Sequence, residues 1–235
     1  MRAIIFGNGD WDDAAYLARI RASLAAAAPG ADLRIAADGG VRLWERLGLT
    51  PHILLGDFDS LSDEEVAAWA AAGVEIQRHP VAKDKSDLEL ALDQAAGRGA
   101  ASILLAAITG SRLDHSLANL FLAARFAAPQ TEVTVLTLRG AVYPVAGGRG
   151  RVGRRRLPAA PGEVVALLPV GGPAAGVTTR NLRYPLRDAT LPWGSTLSIS
   201  NEPTGSPIEV EVAEGRLLVI VEQGDGEVPA CRSRS

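Results

Sequence analysis

The stretch Ile53-Leu-Leu-Gly-Asp-Phe-Asp-Ser60 decides the fold prediction, because a short apolar run ends abruptly in a glycine and two acids. A run that is apolar at every position is typical of a strand covered on both faces, as in a parallel α/β sheet. Asp57 and Asp59 flank a large apolar residue, Phe58, directly after this run. Ligands of open parallel sheets bind beyond the carboxyl ends of the strands, so the tip at 56–60 is a candidate site.

Four further runs of this kind occupy the first half of the chain, at residues 3–6, 33–36, 74–76 and 102–107. Apolar residues at helical spacing separate them, which predicts alternating strands and helices. The predicted buried helix faces are Ala14, Leu17, Ala18 and Ile20; Leu88, Ala91, Leu92 and Ala95; and Leu113, Leu117, Leu120, Phe121 and Ala124. Ser62 with Glu65, and Ser86 with Glu89, have the spacing of capping boxes that begin helices.

The pattern changes near Pro129, beyond which short β-prone runs alternate with Gly and Pro. Six strands are predicted, at 133–138, 141–145, 164–169, 196–200, 208–212 and 217–222. The residues alone do not separate a sandwich from a barrel. We therefore expect an α/β domain over 1–129 and an all-β domain over 130–235. The basic run between Arg149 and Arg156 is interpreted as a solvated hairpin without an assigned role.

Composition limits the classes of partner. The 235 residues are 47% hydrophobic and carry a formal net charge of −3, which is typical of a globular protein and favours neither nucleic acid nor a membrane surface as partner. The apolar run at the N-terminus is too short for the hydrophobic region of a signal sequence, so a cytoplasmic location is expected. The single cysteine, Cys231, excludes an internal disulfide and a cysteine metal site, and is expected to be a free thiol.

Acidic residues follow several of the predicted strands and would share one edge of the sheet. They are Asp38, Asp57, Asp59, Asp84, Asp87 and Asp114. So many neighbouring carboxylates cannot all stay ionised without a counter-charge. Mg²⁺ supplies such a charge, prefers oxygen ligands and is commonly held by one or two carboxylates together with substrate phosphates. Phosphate oxygens can approach the backbone at the nearby glycines and helix starts, and the planar guanidinium of Arg112 can donate to them. The pattern therefore indicates a magnesium–nucleotide site.

Each piece also has a simpler interpretation. Asp38-Gly39-Gly40 could be only a turn, Ser86 and Asp87 could be only a helix cap, and Asp114 with His115 could be only a surface pair. The coincidence of three acidic tips at three strand ends favours a site. Motifs of P-loop enzymes, of simple dinucleotide-binding folds and of serine hydrolases do not occur in the sequence, and His52, His79 and His115 are too scattered for a zinc site.

These motifs, in this order, resemble those of bacterial thiamine pyrophosphokinases over most of the chain. The matching stretches are Ala37-Asp38-Gly39-Gly40, Gly56-Asp57-Phe58-Asp59-Ser60, Lys83-Asp84, Ser86-Asp87-Leu88-Glu89, Gly110-Ser111-Arg112-Leu113-Asp114-His115, Asn119-Leu120, Thr178-Thr179, Leu182-Arg183-Tyr184-Pro185-Leu186 and Ile199-Ser200-Asn201-Glu202. The resemblance implies a homodimer in which an α/β nucleotide-binding catalytic domain (1–129) precedes a β-sandwich domain (130–235) for thiamine binding and dimerisation.

The resemblance further implies transfer of a pyrophosphoryl group from ATP to the thiamine hydroxyl, giving thiamine diphosphate and AMP. Read onto this chain, it implies that Asp57, Asp59 and Asp84 hold Mg²⁺ and that Asp87, Arg112 and Asp114 join them in catalysis. Implied nucleotide contacts are Asp38, Gly39, Ser86, Thr109, Gly110, Arg112, His115 and Asn119. Whether Asp87 or Asp114 takes the hydroxyl proton is left open.

Thiamine is a cation with an aromatic ring system, and the resemblance implies that Tyr184, Ser200 and Asn201 contact it. An edge-strand aromatic is the alternative interpretation of Tyr184. Three other functions compete with this prediction. They are a pyrophosphokinase for a different alcohol such as a hydroxymethyl pterin, a non-catalytic nucleotide- or thiamine-binding protein, and a scaffold whose acids only shape loops.

Overall fold

The structure describes residues 1–26 and 32–224 of the chain. Within them, six parallel strands form the sheet of the first unit, Met1–Leu138. The structure is a computed structural model. Its strands are β1 (Arg2–Phe6), β2 (Asp32–Ala37), β3 (Ile53–Gly56), β4 (Glu75–Arg78), β5 (Ser102–Ala106) and β6 (Glu132–Leu136), in the spatial order β4-β3-β2-β1-β5-β6. Its helices are α1 (Ala14–Ala25), α2 (Val41–Arg46), α3 (Asp63–Ala71), α4 (Asp87–Gly97) and α5 (Leu113–Phe126).

The core of the first unit lies on both faces of this sheet. All four residues of β3 are buried, as are the last four of β1, which confirms the prediction of strands covered on both sides. Phe6 of β1 stacks on Trp44 of α2 with ring centroids 4.0 Å apart, and the indole N–H of Trp44 donates to the Ile35 carbonyl at 3.1 Å. Burial of each large apolar side chain contributes about 1.5–3 kcal/mol, and the indole loses no hydrogen bond.

The predicted helix α4 is confirmed in both its start and its buried face, which consists of Leu88, Ala91, Leu92 and Ala95. Ser86 caps it by accepting from the Glu89 N–H at 3.2 Å, but the Glu89 carboxylate pairs with Arg125 at 2.9 Å instead of completing a capping box. At α3 the reciprocal capping box of Ser62 and Glu65 is present. None of the described helices is long and apolar enough to cross a membrane.

The predicted face of α5 is wrong in three of its five residues. Leu113, Leu117 and Phe121 are exposed, Leu120 is half-buried, and Ala124 is buried as predicted, next to buried Ala123. This helix carries apolar residues around most of its circumference, so periodicity alone does not select a face. Small side chains allow the helix to lie close to the sheet, and the buried alanines make that approach.

The second unit, Arg139–Ser235, folds into two antiparallel sheets, which confirms an all-β sandwich after a mainly parallel α/β domain. Its strands are β7 (Gly140–Gly147), β8 (Gly153–Leu157), β9 (Glu163–Pro169), β10 (Ala174–Arg180), β11 (Ala189–Leu191), β12 (Ile208–Val212) and β13 (Gly215–Gln223). One sheet has the order β7-β13-β9 and the other β11-β10-β12-β8. The predicted strand at 196–200 is wrong, because turns and bends occupy that segment, and β8, β10 and β11 were not predicted.

The division between the units falls between Leu138 and Arg139 rather than at the predicted break after Pro129. Residues 132–136 were assigned to the β domain, but they form β6, which pairs in parallel with β5 from Ser102 opposite Glu132 onward. An apolar β-prone run has the same sequence character in a parallel and an antiparallel strand, so only the pairing reveals its domain.

The basic run is exposed, as predicted, but it also forms strand β8. Arg154 and Arg156 project to solvent and pair across the sheet with Glu211 and Glu209 of β12, at 3.4 and 3.3 Å. Opposite charges on directly facing strand residues stabilise the pairing modestly. Cys231 and the other residues after Gly224 lie outside the described residues, so their predictions stay predictions.

Candidate active site

A cleft of about 640 Å³ opens at the carboxyl ends of strands in the first unit. The tips that follow β1, β2, β3 and β5 line it, together with the loop that leads into α4. Strand β1 lies between β2 and β5, so the direction in which successive strands are added reverses at β1. Open parallel sheets bind ligands at such a reversal, because the two neighbouring loops diverge there and leave a crevice.

Most of the predicted site residues of the first unit meet in this cleft. They are Asp38, Asp57, Asp59, Asp84, Ser86, Asp87, Thr109, Gly110, Arg112, His115 and Asn119. Gly39 lies beside the cleft, where a Cβ atom would come within 2.3 Å of the Asn8 amide oxygen. A larger residue at 39 would therefore force the Asn8 side chain to move.

Three carboxylates form a compact acid group, defined as Asp38, Asp57 and Asp59. One oxygen from each lies within 4.8 Å of the others. Asp38 is 8% exposed; its Oδ2 accepts from the Ser60 hydroxyl, while its buried Oδ1 has no hydrogen-bond partner among the described residues. A buried carboxylate oxygen without a partner is costly. An all-oxygen donor set with one such atom fits a hard divalent cation such as Mg²⁺.

The acid group differs in one member from the predicted metal ligands Asp57, Asp59 and Asp84. Asp84 is exposed on the cleft lining, outside the group, and Asp38, predicted as a nucleotide contact, lies inside it. Sequence spacing places both residues at the same sheet edge and does not rank their distances to Asp57 and Asp59.

The ammonium group of Lys83 lies between two carboxylates at the acid group. Its Nζ is 3.2 Å from Asp57 Oδ2 and 2.9 Å from Asp87 Oδ1. Burial alone would lower the pKa of Lys83, but the hydrogen bonds and charges of Asp87 and Asp57 outweigh it and raise the pKa. Burial raises the pKa of Asp87, Lys83 opposes this, and the charges of Asp57 and Asp38 add to it. Lys83 thus supplies one positive charge among several negative ones.

The backbone at three strand tips is left-handed, at non-glycine residues. Asp38 has φ 48°, Phe58 has φ 62° and Ala107 has φ 53°. Each such residue costs about 1–2 kcal/mol relative to ordinary backbone. These bends follow β2, β3 and β5 and turn the chain sharply at the cleft. Strain of this kind concentrates at binding sites, where the surrounding fold holds it in place.

The side of the cleft between β1 and β5 is built from backbone. Gly9 N–H donates to the Ala107 carbonyl at 2.6 Å, and a Cβ atom at Gly9 would lie 2.4 Å from the Thr109 carbonyl oxygen. The hydroxyl of Ser116, in the first turns of α5, accepts from the Gly110 N–H at 3.0 Å and donates to the Arg112 carbonyl at 2.9 Å. Close loops without side chains at a helix start are suited to phosphate oxygens.

Arg112 and Asp114 form an exposed pair at the start of α5. The guanidinium binds both carboxylate oxygens of Asp114, at 3.2 and 2.6 Å. The hydrogen bond from Arg112 holds the pKa of Asp114 below its usual value, with a further contribution from the His115 backbone N–H. Arg112 lines the cleft whereas Asp114 does not. The guanidinium of Arg112 is thus hydrogen-bonded to Asp114 and not to the acid group.

Sequence reasoning did not assign several residues that build the cleft. Lys83 has no role assigned from sequence, and it lines the cleft together with Asn8, Asp10 and Ser116. Tyr16 was missed altogether, although its buried hydroxyl fixes Ala107. The available signal for Lys83 was its position directly before Asp84. No local signal identifies Tyr16, because its partners are distant in sequence.

In the second unit, the three predicted thiamine contacts have different environments. Tyr184 is 60% exposed, with the Arg183 guanidinium 5.6 Å from its ring centroid, and Ser200 is exposed. Asn201 is 4% exposed; its amide accepts from the Tyr184 N–H at 3.1 Å and donates to the Tyr184 carbonyl at 2.9 Å. Asn201 therefore holds the Tyr184 loop, and of the three residues only Tyr184 and Ser200 have exposed side chains.

Comparison with known proteins relates both units to one enzyme family. Residues 25–135 match the family model "Thiamin pyrophosphokinase, catalytic domain", and residues 154–217 match "Thiamin pyrophosphokinase, vitamin B1 binding domain". The chain is 27% identical to thiamine pyrophosphokinase of Bacillus subtilis (strain 168) over 188 residues, which cover 80% of this chain and 86% of the relative.

Solved structures agree with the family models. The crystal structure of thiamin pyrophosphokinase from Geobacillus thermodenitrificans superposes with a TM-score of 0.76 at 26% identity, over 97% of this chain and 100% of that one. Thiamin pyrophosphokinase from Candida albicans shares the fold, with a TM-score of 0.72 at 14% identity, over 94% of this chain and 88% of that one. Because the two family models together cover most of its length and match its two units in order, the chain belongs to the thiamine pyrophosphokinase family.

Proposed function

We propose that this protein transfers the pyrophosphoryl group of ATP to the hydroxyl oxygen of thiamine, giving thiamine diphosphate and AMP, with Mg²⁺ as the metal. The observation that carries the proposal is the acid group, with its unpartnered Asp38 Oδ1, at the edge of a cleft of about 640 Å³. Clefts of roughly 300–1,000 Å³ accommodate ligands of nucleotide size.

The reaction requires positioning more than covalent assistance. The thiamine hydroxyl oxygen forms a bond to the β-phosphorus of ATP, and the bond from that phosphorus to the oxygen bridging the α-phosphorus breaks. AMP leaves with the bridging oxygen, and the hydroxyl proton passes to an acceptor. Phosphoryl centres of this kind react through loose, in-line transition states, so alignment and charge neutralisation supply most of the rate enhancement.

Asp38, Asp57 and Asp59 would hold the Mg²⁺, and Asp84 on the cleft lining remains a predicted ligand. The metal supplies charge neutralisation and polarises phosphoryl oxygens. The loops at Gly9 and Gly110 approach without side chains and so admit phosphate oxygens close to the backbone. Arg112 lines the same cleft and can bind a phosphate with two parallel hydrogen bonds once Asp114 releases it.

Asp87 is the better of the two proposed acceptors for the hydroxyl proton. It lines the cleft, and burial together with the charges of Asp57 and Asp38 raises its pKa, which makes its carboxylate a stronger base. Asp114 is exposed, tied to Arg112 and outside the cleft lining. A base functions best when its pKa approaches the working pH.

Tyr184 is proposed to stack on thiamine, since its exposed ring suits a thiazolium cation, and Ser200 is proposed to donate or accept a hydrogen bond beside it. A homodimer in the cytoplasm is proposed as the working form. Exposed apolar side chains of the second unit, namely Tyr184, Trp193, Leu197 and Ile199, support a contact surface of this kind.

The test is a product assay with the full chain, ATP, Mg²⁺ and thiamine. We expect AMP and thiamine diphosphate in equal amounts. Formation of ADP with thiamine monophosphate would contradict pyrophosphoryl transfer. AMP release with a hydroxymethyl pterin in place of thiamine, and none with thiamine, would assign a different alcohol. Binding of ATP and thiamine without any turnover would identify a binding protein.

A further inference from the structure

Lys83 and the acid group share one carboxylate. Asp57 contributes an oxygen to the group with Asp38 and Asp59, and its Oδ2 lies 3.2 Å from the Lys83 ammonium. The same ammonium lies 2.9 Å from Asp87 Oδ1. The side chains of Lys83 and Asp57 are each 15% exposed, so their attraction is screened less than that of a surface pair.

The shared carboxylate cannot serve both cations in the same way. A divalent cation placed among Asp38, Asp57 and Asp59 would draw electron density from the oxygens of Asp57 and repel the ammonium beside it. Metal binding therefore requires Lys83 to weaken or break its contact with Asp57. The loss is offset if another anion accepts the ammonium, and Lys83 lines the same cleft as the loops at Gly9 and Gly110.

We infer that Lys83 is an internal counter-cation that competes with the divalent metal for Asp57, an inference that rests on the proposed function. Metal binding then depends on the phosphates of the nucleotide, because they accept the ammonium group that the metal displaces. Without nucleotide, the Lys83 ammonium stays paired with the carboxylates of Asp57 and Asp87, and the metal binds weakly. With nucleotide, the Lys83 ammonium pairs with the phosphates, which it can do without a fixed hydrogen-bond geometry because its charge is compact. The acid group then binds the metal tightly. By linkage the metal strengthens nucleotide binding by the same factor.

The experiment measures Mn²⁺ affinity by electron paramagnetic resonance in the full chain, with and without α,β-methylene-ATP, whose replaced bridge blocks cleavage. In the wild type we expect the nucleotide analogue to tighten Mn²⁺ binding. In Lys83→Met, which keeps the apolar stem and removes the charge, Mn²⁺ should bind without nucleotide roughly 5- to 10-fold more tightly than in the wild type, the size of a typical coupling between sites. The tightening by the analogue should shrink by a similar factor.

Two further variants make the result specific. Lys83→Arg keeps the positive charge and should retain weak Mn²⁺ binding without nucleotide. Lys85→Met removes an ammonium that also borders the cleft but pairs with Asp93 at 2.6 Å and not with the acid group, and it should change Mn²⁺ affinity by no more than about twofold because exposed charges are screened. Equal effects of the two methionine substitutions would overturn the inference, since they would reflect the general field. Thermal unfolding verifies that each variant is folded, and Lys83→Gln serves if the methionine variant is not.

The outcomes separate this inference from the proposed reaction. A Lys83→Met protein that binds Mn²⁺ as weakly as the wild type overturns the inference and leaves the reaction intact. A wild type that shows the predicted coupling but produces no thiamine diphosphate overturns the reaction alone. A wild type that binds no Mn²⁺ even with the analogue overturns both.

Discussion

The hydroxyl group of Tyr16 accepts a hydrogen bond of 2.8 Å from the backbone N–H of Ala107 and so ties α1 to the strained tip of β5. The same hydroxyl donates to the Leu136 carbonyl at 2.9 Å, and the Ala107 carbonyl accepts from Gly9. Tyr16 is 1% exposed. One buried side chain therefore sets the position of both loops on the backbone-lined side of the cleft.

Tyr16→Phe should leave the Ala107 N–H and the Leu136 carbonyl buried without this partner. We expect a loss of about 1–3 kcal/mol in the free energy of unfolding. Because the Gly9 loop loses its anchor, KM for ATP should rise several-fold while KM for thiamine stays unchanged. Denaturant unfolding and steady-state kinetics measure the two effects. Tyr143→Phe, in the second unit, is the control and should leave KM for ATP unchanged.

The ionisation of Tyr16 predicts a pH dependence of stability. Burial raises the pKa of Tyr16 from its ordinary 10.0 to about 12, against smaller lowering effects of the Ala107 N–H and Arg19. Below pH 10 the phenol is protonated in both states and its contribution is complete. Between pH 10 and 12 only the unfolded chain loses the proton, so stability falls as pH rises, by up to about 3 kcal/mol.

Unfolding of the wild type and of Tyr16→Phe between pH 9 and 12 measures this contribution. The advantage of the wild type over the variant should shrink through that window, because the phenylalanine has no proton to lose. Parallel stability curves would contradict the buried, neutral phenol.

Asp57→Asn should lower turnover by roughly 10²–10³-fold with little change in stability, because it removes a charge from both the acid group and the Lys83 pair. The matched control is Asp63→Asn, whose carboxylate pairs with Arg78 at the surface at 2.9 Å. Exposed pairs contribute at most about 1 kcal/mol, so the control should keep full activity. Normal turnover in Asp57→Asn would remove that residue from the metal site.

Asp38→Asn should stabilise the metal-free protein and abolish its response to Mg²⁺. The substitution removes one of three neighbouring negative charges, and asparagine tolerates the left-handed backbone at φ 48°. In the wild type, Mg²⁺ added together with α,β-methylene-ATP is expected to bind the folded state and to raise the unfolding temperature. Scanning fluorimetry with this analogue, in EDTA and in Mg²⁺, compares the two proteins. An unchanged Mg²⁺ shift in the variant would show that Asp38 is not a ligand.

Asn201→Ala should raise KM for thiamine without altering KM for ATP. The amide of Asn201 fixes both backbone groups of Tyr184, so its removal releases the loop that presents the ring. A loss of about 1–3 kcal/mol in stability accompanies the unpaired groups. Ser200→Ala keeps this loop fixed and separates a direct hydroxyl contact from loop positioning. Equal increases in both KM values for Asn201→Ala would contradict a local effect.

The strand tips could be predicted from sequence because they depend on local signals. The acidic residues that follow the apolar run at 53–55 can be recognised without knowing where that strand lies in the sheet. The Ser86 cap and the buried face with Leu88 and Leu92 follow from helical spacing alone. The fold class follows from the alternation of such elements. All of these signals lie within about a dozen residues of one another.

The remainder could not be predicted, because it depends on distant partners. The membership of β6 in the first sheet is decided by its pairing with β5, and the choice of Asp38 over Asp84 in the acid group by side-chain distances across separate loops. Asn201 has the residue type of a ligand contact, yet its amide is used by the backbone of Tyr184. Residue type alone cannot distinguish a binding group from a supporting one.

The position of β1 between β2 and β5 has a consequence for the order in which the site forms during synthesis. All three members of the acid group come from the tips of β2 and β3, so they have been synthesised once residue 59 is made. The opposite wall waits for β5 and the loop at 107–112, which are made roughly fifty residues later, and domains acquire such long-range pairings slowly. A nascent chain thus carries its three carboxylates before it has the loops that face them, and the cleft is complete only after β5 has paired with β1.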